Sequence, residues 1–103
     1  MAETLQLGGN IELTGFSDID PATLVVVKKI VGNHAKRYTD IVDGFDKLHL
    51  TLKHIHQQQD STKYELHCLV AGSGAKYAAE VTEINLFFAL DKVLKKIENE
   101  ISK

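Results

Sequence analysis

The strongest constraint on this chain is a strict alternation over residues 45–55. Leu48, Leu50 and Leu52 fall on one phase, and Lys47, His49, Thr51 and Lys53 on the other. Successive side chains of a strand point to opposite faces, so this pattern requires a sheet with one face buried and the other in water. Neighbouring segments extend that sheet. Residues 10–16 set Ile11 and Leu13 against Glu12 and Thr14, a short half-buried strand. Residues 63–70 put Tyr64, Leu66, Cys68 and Val70 on the inner phase, with Glu65, His67 and Leu69 outside. Gly72-Ser73-Gly74 supplies a tight reversal. Residues 76–82 form a fourth strand, in which Tyr77, Ala79 and Val81 make one face and Ala78 and Glu80 the other. The pattern leaves its register open.

Two stretches change to helical spacing. Asp20 can cap free backbone N–H groups, and Pro21 suits the first helical position because it has no N–H to leave orphaned. Leu24, Val27, Val31, Ala35, Tyr38 and Val42 then recur on one stripe, widened by Ile30 and Ile41. Gly32 is either a weak spot or a place of close approach, and Gly44 closes the helix region as cap or as the turn beyond. The second helix opens at Asn85, another good cap. Leu86, Leu90, Val93, Leu94, Ile97 and Ile101 form its stripe, supported by Phe87.

The element order is therefore β-α-β-β-β-α. A four-stranded sheet with two helices packed on one face buries every apolar stripe, an α+β two-layer sandwich whose other sheet face is open to solvent. A chain of 103 residues suits one such domain, read as residues 10–103 after a flexible N-terminal lead-in over residues 1–9 that ends in Gly8-Gly9. Residues 57–61 read as a polar connection. No run of 18 apolar residues would span a membrane, and the N-terminus does not read as a secretory signal. The single cysteine, Cys68, fits a buried small hydrophobe in a reducing compartment. The expected location is the cytoplasm.

No residue cluster reads as a catalytic centre, and no cofactor or metal is expected. A zinc site needs three or four ligands converging tetrahedrally. The five histidines do not fall into such a set: His54 and His56 share a strand phase, and the alternation puts His49 and His67 on the solvent face of neighbouring strands. Asp18 and Asp20 serve a helix start, while Asp40, Asp43 and Asp46 form a solvated rim at a helix exit. Asp91 reads as one member of a structural salt link or of a helix–helix contact. Gly72-Ser73-Gly74 lacks the spacing and the following lysine of a phosphate-binding loop.

What remains is basic surface. The chain has 12 Lys and Arg against 14 Asp and Glu, a net charge of −2 that alone disfavours nucleic acid. Distribution matters more than the sum. Lys28, Lys29, Lys36 and Arg37 lie off the buried stripe of the first helix, and Lys92, Lys95 and Lys96 off that of the second. If the helices pack side by side, these amines combine into one stripe able to follow an RNA backbone through its phosphates, without base readout. The rival surface is the open sheet face, Lys47, His49, Thr51, Lys53 and His67, as a protein-interaction or self-assembly contact. The chain is expected to be a monomer or weak homodimer.

Three motifs carry a resemblance. Asn10-Ile11-Glu12-Leu13-Thr14-Gly15-Phe16 followed by Asp20-Pro21-Ala22-Thr23, the strand Phe45-Asp46-Lys47-Leu48-His49-Leu50-Thr51-Leu52-Lys53, and Asn85-Leu86-Phe87-Phe88-Ala89-Leu90-Asp91-Lys92-Val93-Leu94 together resemble the ribosome hibernation-promoting factor and ribosome-associated inhibitor family, in its short form. Phe87 takes the family's aromatic position, Ala89 a small one, and Leu90-Asp91 its Ile-Asp pair. The chain departs from the family in its single arginine and in Phe88, which replaces a smaller residue. The resemblance implies a sandwich similar to double-stranded-RNA-binding domains. It also implies non-enzymatic binding of rRNA on the small ribosomal subunit, limiting translation during dormancy or stress. Lys28, Lys36, Arg37, Lys92, Lys95 and Lys96 would supply the rRNA contacts.

Overall fold

In the computed structural model, residues 4–7, 10–56 and 62–102 are described, apart from the side chains of residues 55, 56 and 62. The Gly8-Gly9 end of the lead-in, the polar connection 57–61 and the side chain of His56 lie outside the described residues. Both helix starts follow the capping logic of the sequence. The Asp20 carboxylate accepts from the Thr23 backbone N–H at 3.1 Å and from its hydroxyl at 2.6 Å, and helix α1 runs Pro21–Ile41. Helix α2 runs Leu86–Ile101, and the Phe88 backbone N–H donates to Asn85 Oδ1 at 3.0 Å. Each cap satisfies an N–H that has no partner within its helix.

The strands are β1 (Thr4–Gln6), β2 (Ile11–Thr14), β3 (Phe45–His56), β4 (Thr62–Gly72) and β5 (Ala75–Glu83), in the order β1-β2-β3-β4-β5. The parallel pair is β2–β3, joined by the α1 crossover, and the other pairs are antiparallel. The sheet thus has five strands where the sequence pattern predicts four. The added strand lies in the lead-in: Leu5 pairs with Leu13 and packs, half-buried, against the core. Three residues are too few to establish a period, so alternation could not reveal it.

Leu48, Leu50, Leu52, Leu66, Cys68 and Val70 face the helices and are buried. Val81 is buried too, with Tyr77 and Ala79 half-buried, which settles the register of β5; that strand is an edge of the sheet. From the helices, Val27, Val31, Ala35 and Tyr38 meet Leu86, Ala89, Leu90, Val93, Leu94 and Ile97 over this layer. Two expected stripe members stay largely outside: Ile41 is 44% exposed and Phe87 is 40% exposed. Each sits about 80° around its helix from the centre of the buried stripe, where the sheet no longer covers it.

Two turns depend on backbone geometry. Gly15 follows β2 with φ +86°, and a Cβ there would press into the Leu52 carbonyl oxygen. Only glycine lets the chain pass that close to β3 in this conformation. Ser73 and Gly74 both have positive φ, +46° and +81°, as a two-residue hairpin turn between β4 and β5 requires. Gly44, with φ +59°, belongs to the turn beyond α1, whose cap is Val42. Among the described residues, no helix is long and apolar enough to cross a membrane.

Candidate nucleic-acid interface

The outer surface of α1 carries Lys28, Lys29, Lys36 and Arg37, all exposed, and its one carboxylate is Asp40. At 100° per residue, Lys29 and Lys36 lie nearly in line two turns apart, with Lys28 on one flank and Arg37 on the other. Among the described residues, no carboxylate lies within ion-pair distance of Lys28, Lys29 or Lys36. Arg37 leans toward α2, where its Nε is 3.3 Å from Glu98 Oε1, close enough to pair in charge but without hydrogen-bond geometry.

The cations of α2 are engaged differently. Lys92 donates to Glu83 of β5 at 2.7 Å, and Lys95 pairs with Asp91 at 3.2 Å. Lys96 donates to the Glu80 backbone carbonyl at 3.2 Å. Asp91 is therefore in the salt link expected of it, in the acid-before-base order that favours such pairs on a helix. Members of both sets, Arg37 of α1 and Lys95 of α2, act on the same side chain, His34 of α1. Where the helices adjoin, His34 and Arg37 of α1 thus lie near Glu98, Asp91 and Lys95 of α2. Burial holds the His34 imidazole below its ordinary pKa, opposed by the carboxylates of Glu98 and Asp91.

Even so, charge divides between the layers. The two helices hold seven Lys or Arg against four Asp or Glu, whereas the five strands hold four against five. Among the described residues outside these elements, Asp18, Asp20 and Asp43 add three negative charges.

The open sheet face is a ladder of polar pairs. Lys47 meets Glu12 at 2.8 Å, and this contact, with a second from Gln6, lowers the Glu12 carboxyl pKa below its ordinary value. His49 Nε2 shares a 2.8 Å hydrogen bond with the Thr14 hydroxyl. The ring nitrogens of His67 lie 3.1 Å from Glu65 Oε2 and 3.2 Å from Glu80 Oε2. Thr51 stands opposite His67, and Lys53 opposite Glu65. Between these pairs lies an open hollow of about 470 Å³ lined by His49, Thr51, His67, Leu69, Ala78 and Glu80, with Leu69 37% exposed at its floor.

His54 lies away from this face, its ring edge-on to Tyr64 with centroids 5.4 Å apart, so His49, His54 and His67 have separate partners. Among the described residues, no group of three or more His, Cys, Asp or Glu side chains is placed to hold a metal ion. Cys68 is buried in the core, and burial pushes its thiol pKa up to about 12, so the reactive thiolate is suppressed. One surface feature escapes reading by stripe and charge: Phe88, at the solvent crest of α2, is 63% exposed. A signal was present, since Phe88 lies 180° from the centre of that helix's apolar stripe.

Neither protein-family models nor the sequences of curated proteins give a match to this chain.

Proposed function

We propose that this chain is a non-enzymatic RNA-binding domain that occupies rRNA on the small ribosomal subunit and limits translation in the cytoplasm during dormancy or stress. The observation that carries the reading is the outer face of α1, with four cations and one carboxylate on a chain of net negative charge. Three of those amines have no carboxylate partner among the described residues. Long-range attraction by such a stripe suits a backbone of regularly spaced phosphates. The motifs in β2, β3 and α2 that resemble the hibernation-factor family add the choice of the small subunit. On this reading Lys28, Lys36 and Arg37 make the principal contacts. Lys92, Lys95 and Lys96 contribute after exchanging carboxylate or carbonyl partners for phosphate, a small cost for ion pairs this exposed. Sedimentation of the protein with purified small subunits across a salt series tests it. Binding should fall steeply with salt and be lost when Lys36 and Arg37 are both changed to Glu. Co-sedimentation indifferent to salt and to that pair would defeat the proposal.

A second reading is supported by the hollow around Leu69, an apolar floor among polar pairs on an otherwise uncovered sheet. It makes the open face, with Lys47, His49, Thr51, Lys53 and His67 around it, a self-association contact. Sedimentation velocity of wild type against Leu69→Asp decides: a wild-type dimer that the substitution dissolves supports it, and monomers in both cases dismiss it.

A further inference from the structure

The crest of α2 holds an aromatic ring among cations. By helical geometry Phe88, Lys92, Lys95 and Asn99 follow one another along the side of α2 farthest from the core. Phe88 is exposed over 63% of its surface, so the core gains little from it. Exposed apolar side chains are common singly, but this one has exposed apolar company, with Ile84 at 70% and Phe87 at 40%. Beside it runs a groove of about 400 Å³ between α2 and the free edge of β5, whose lining includes Lys92, Lys95, Lys96, Asn99 and Glu83.

We infer that Phe88 is a stacking platform for one unpaired base of a single-stranded RNA segment whose flanking phosphates run along Lys92, Lys95 and Lys96. This rests on the RNA-binding reading and deepens it by naming unstacked, single-stranded RNA as what α2 recognises. The chemistry agrees on two counts. An exposed ring offers every base a π-face, which gives affinity without sequence choice. Three ammonium groups line the groove against the carboxylates of Glu83 and Asp91, which leaves Lys96, held by a neutral carbonyl, as net positive charge for a phosphodiester chain. Glu83 holds Lys92 in the absence of RNA, and an incoming phosphate takes its place. Phe88 lies on α2 and the cations without a carboxylate partner among the described residues lie on α1, so the two helices take different parts of the RNA. Phosphates of structured RNA fall to α1 and an unpaired base to α2.

The test uses the full chain and fluorescein-labelled octauridylate, with a short RNA duplex as control, read by anisotropy. The chain has no tryptophan, so Phe88→Trp places the sole indole at the proposed contact. Its fluorescence should be quenched by octauridylate and unchanged by the duplex. Phe88→Ala should weaken octauridylate binding about tenfold, while Phe88→Tyr should stay within about twofold of wild type. Circular dichroism confirms that each variant is folded. Equal octauridylate affinity for wild type and Phe88→Ala, with small-subunit binding still lost on charge reversal in α1, overturns the stacking role and leaves the RNA reading standing. If wild type binds neither octauridylate nor small subunits, both fall together. A Phe88→Ala change that alters self-association but not oligonucleotide affinity assigns the patch to a protein contact and also overturns the inference.

Discussion

The Tyr38 hydroxyl of α1 donates to the Leu94 backbone carbonyl of α2 at 2.6 Å, in the buried layer between helices and sheet. The ring belongs to the core, and burial raises the phenol pKa, so the donor proton stays in place at any ordinary pH. This bond joins residues 56 positions apart and sets how α1 lies beside α2. Removing only the hydroxyl, by Tyr38→Phe, should cost about 1 kcal/mol, because the Leu94 carbonyl keeps its place in the helix ladder. Urea unfolding of the two proteins measures it, and equal midpoints would show that the bond contributes nothing.

Gly32 sits within α1, and a Cβ added there would meet nothing within 4 Å. Of the two readings open in the sequence, a weak spot or a close approach, the structure supports the first. Gly32→Ala should therefore stabilise the fold by about 1 kcal/mol and raise Tm by several degrees. A lower Tm would contradict the open space around this position.

Gly15→Ala should do the opposite. The positive φ and the Leu52 carbonyl oxygen both oppose a side chain. The combined strain and clash should cost about 3 kcal/mol or more, visible as a large drop in the thermal midpoint. Near-native stability would mean that this turn can relax.

His34 makes stability depend on pH. Burial holds its folded-state pKa below the ordinary 6.5, against the pull of Glu98 and Asp91. The unfolded chain therefore binds the proton more readily. Stability is fully present above the unfolded pKa and declines as pH falls from there through the folded pKa. Between about pH 7.5 and pH 5.5 the wild type should lose more thermal stability than His34→Gln. Equal losses would place the sensitivity at other groups.

Small-subunit affinity should fall linearly on a plot of log K against log salt, with each phosphate contact adding about 0.7 to 0.9 to the slope. Changing Lys28, Lys36 and Arg37 together to the neutral Gln should flatten that slope by about 2 to 3. Filter binding across the salt series gives the number, and an unchanged slope would remove α1 from the interface.

Much of the architecture was legible because periodicity is a local property. The 45–55 alternation, both helix caps and the reversal at Ser73-Gly74 follow from residues close in sequence. Strand β1 was not legible, because three residues hold no period and Leu5 is placed by pairing with Leu13. The register of β5 needed α2 lying over it. For the candidate interface, the residues off each buried stripe were readable as exposed, and Lys28, Lys36, Lys92, Lys95 and Lys96 are all exposed. Their companions were not readable. Lys92 finds Glu83 on a strand, and Arg37 finds Glu98 on another helix.

From the order of its residues alone, this chain determined which side chains turn inward, since spacing of two or of 3.6 sorts faces without reference to any distant neighbour. Only the tertiary structure decided which charges meet, because a Coulomb interaction depends on distance through space. Packing α1 beside α2 brought Glu98 to Arg37, and laying α2 over β5 brought Glu83 to Lys92, while Lys28, Lys29 and Lys36 have no carboxylate partner among the described residues.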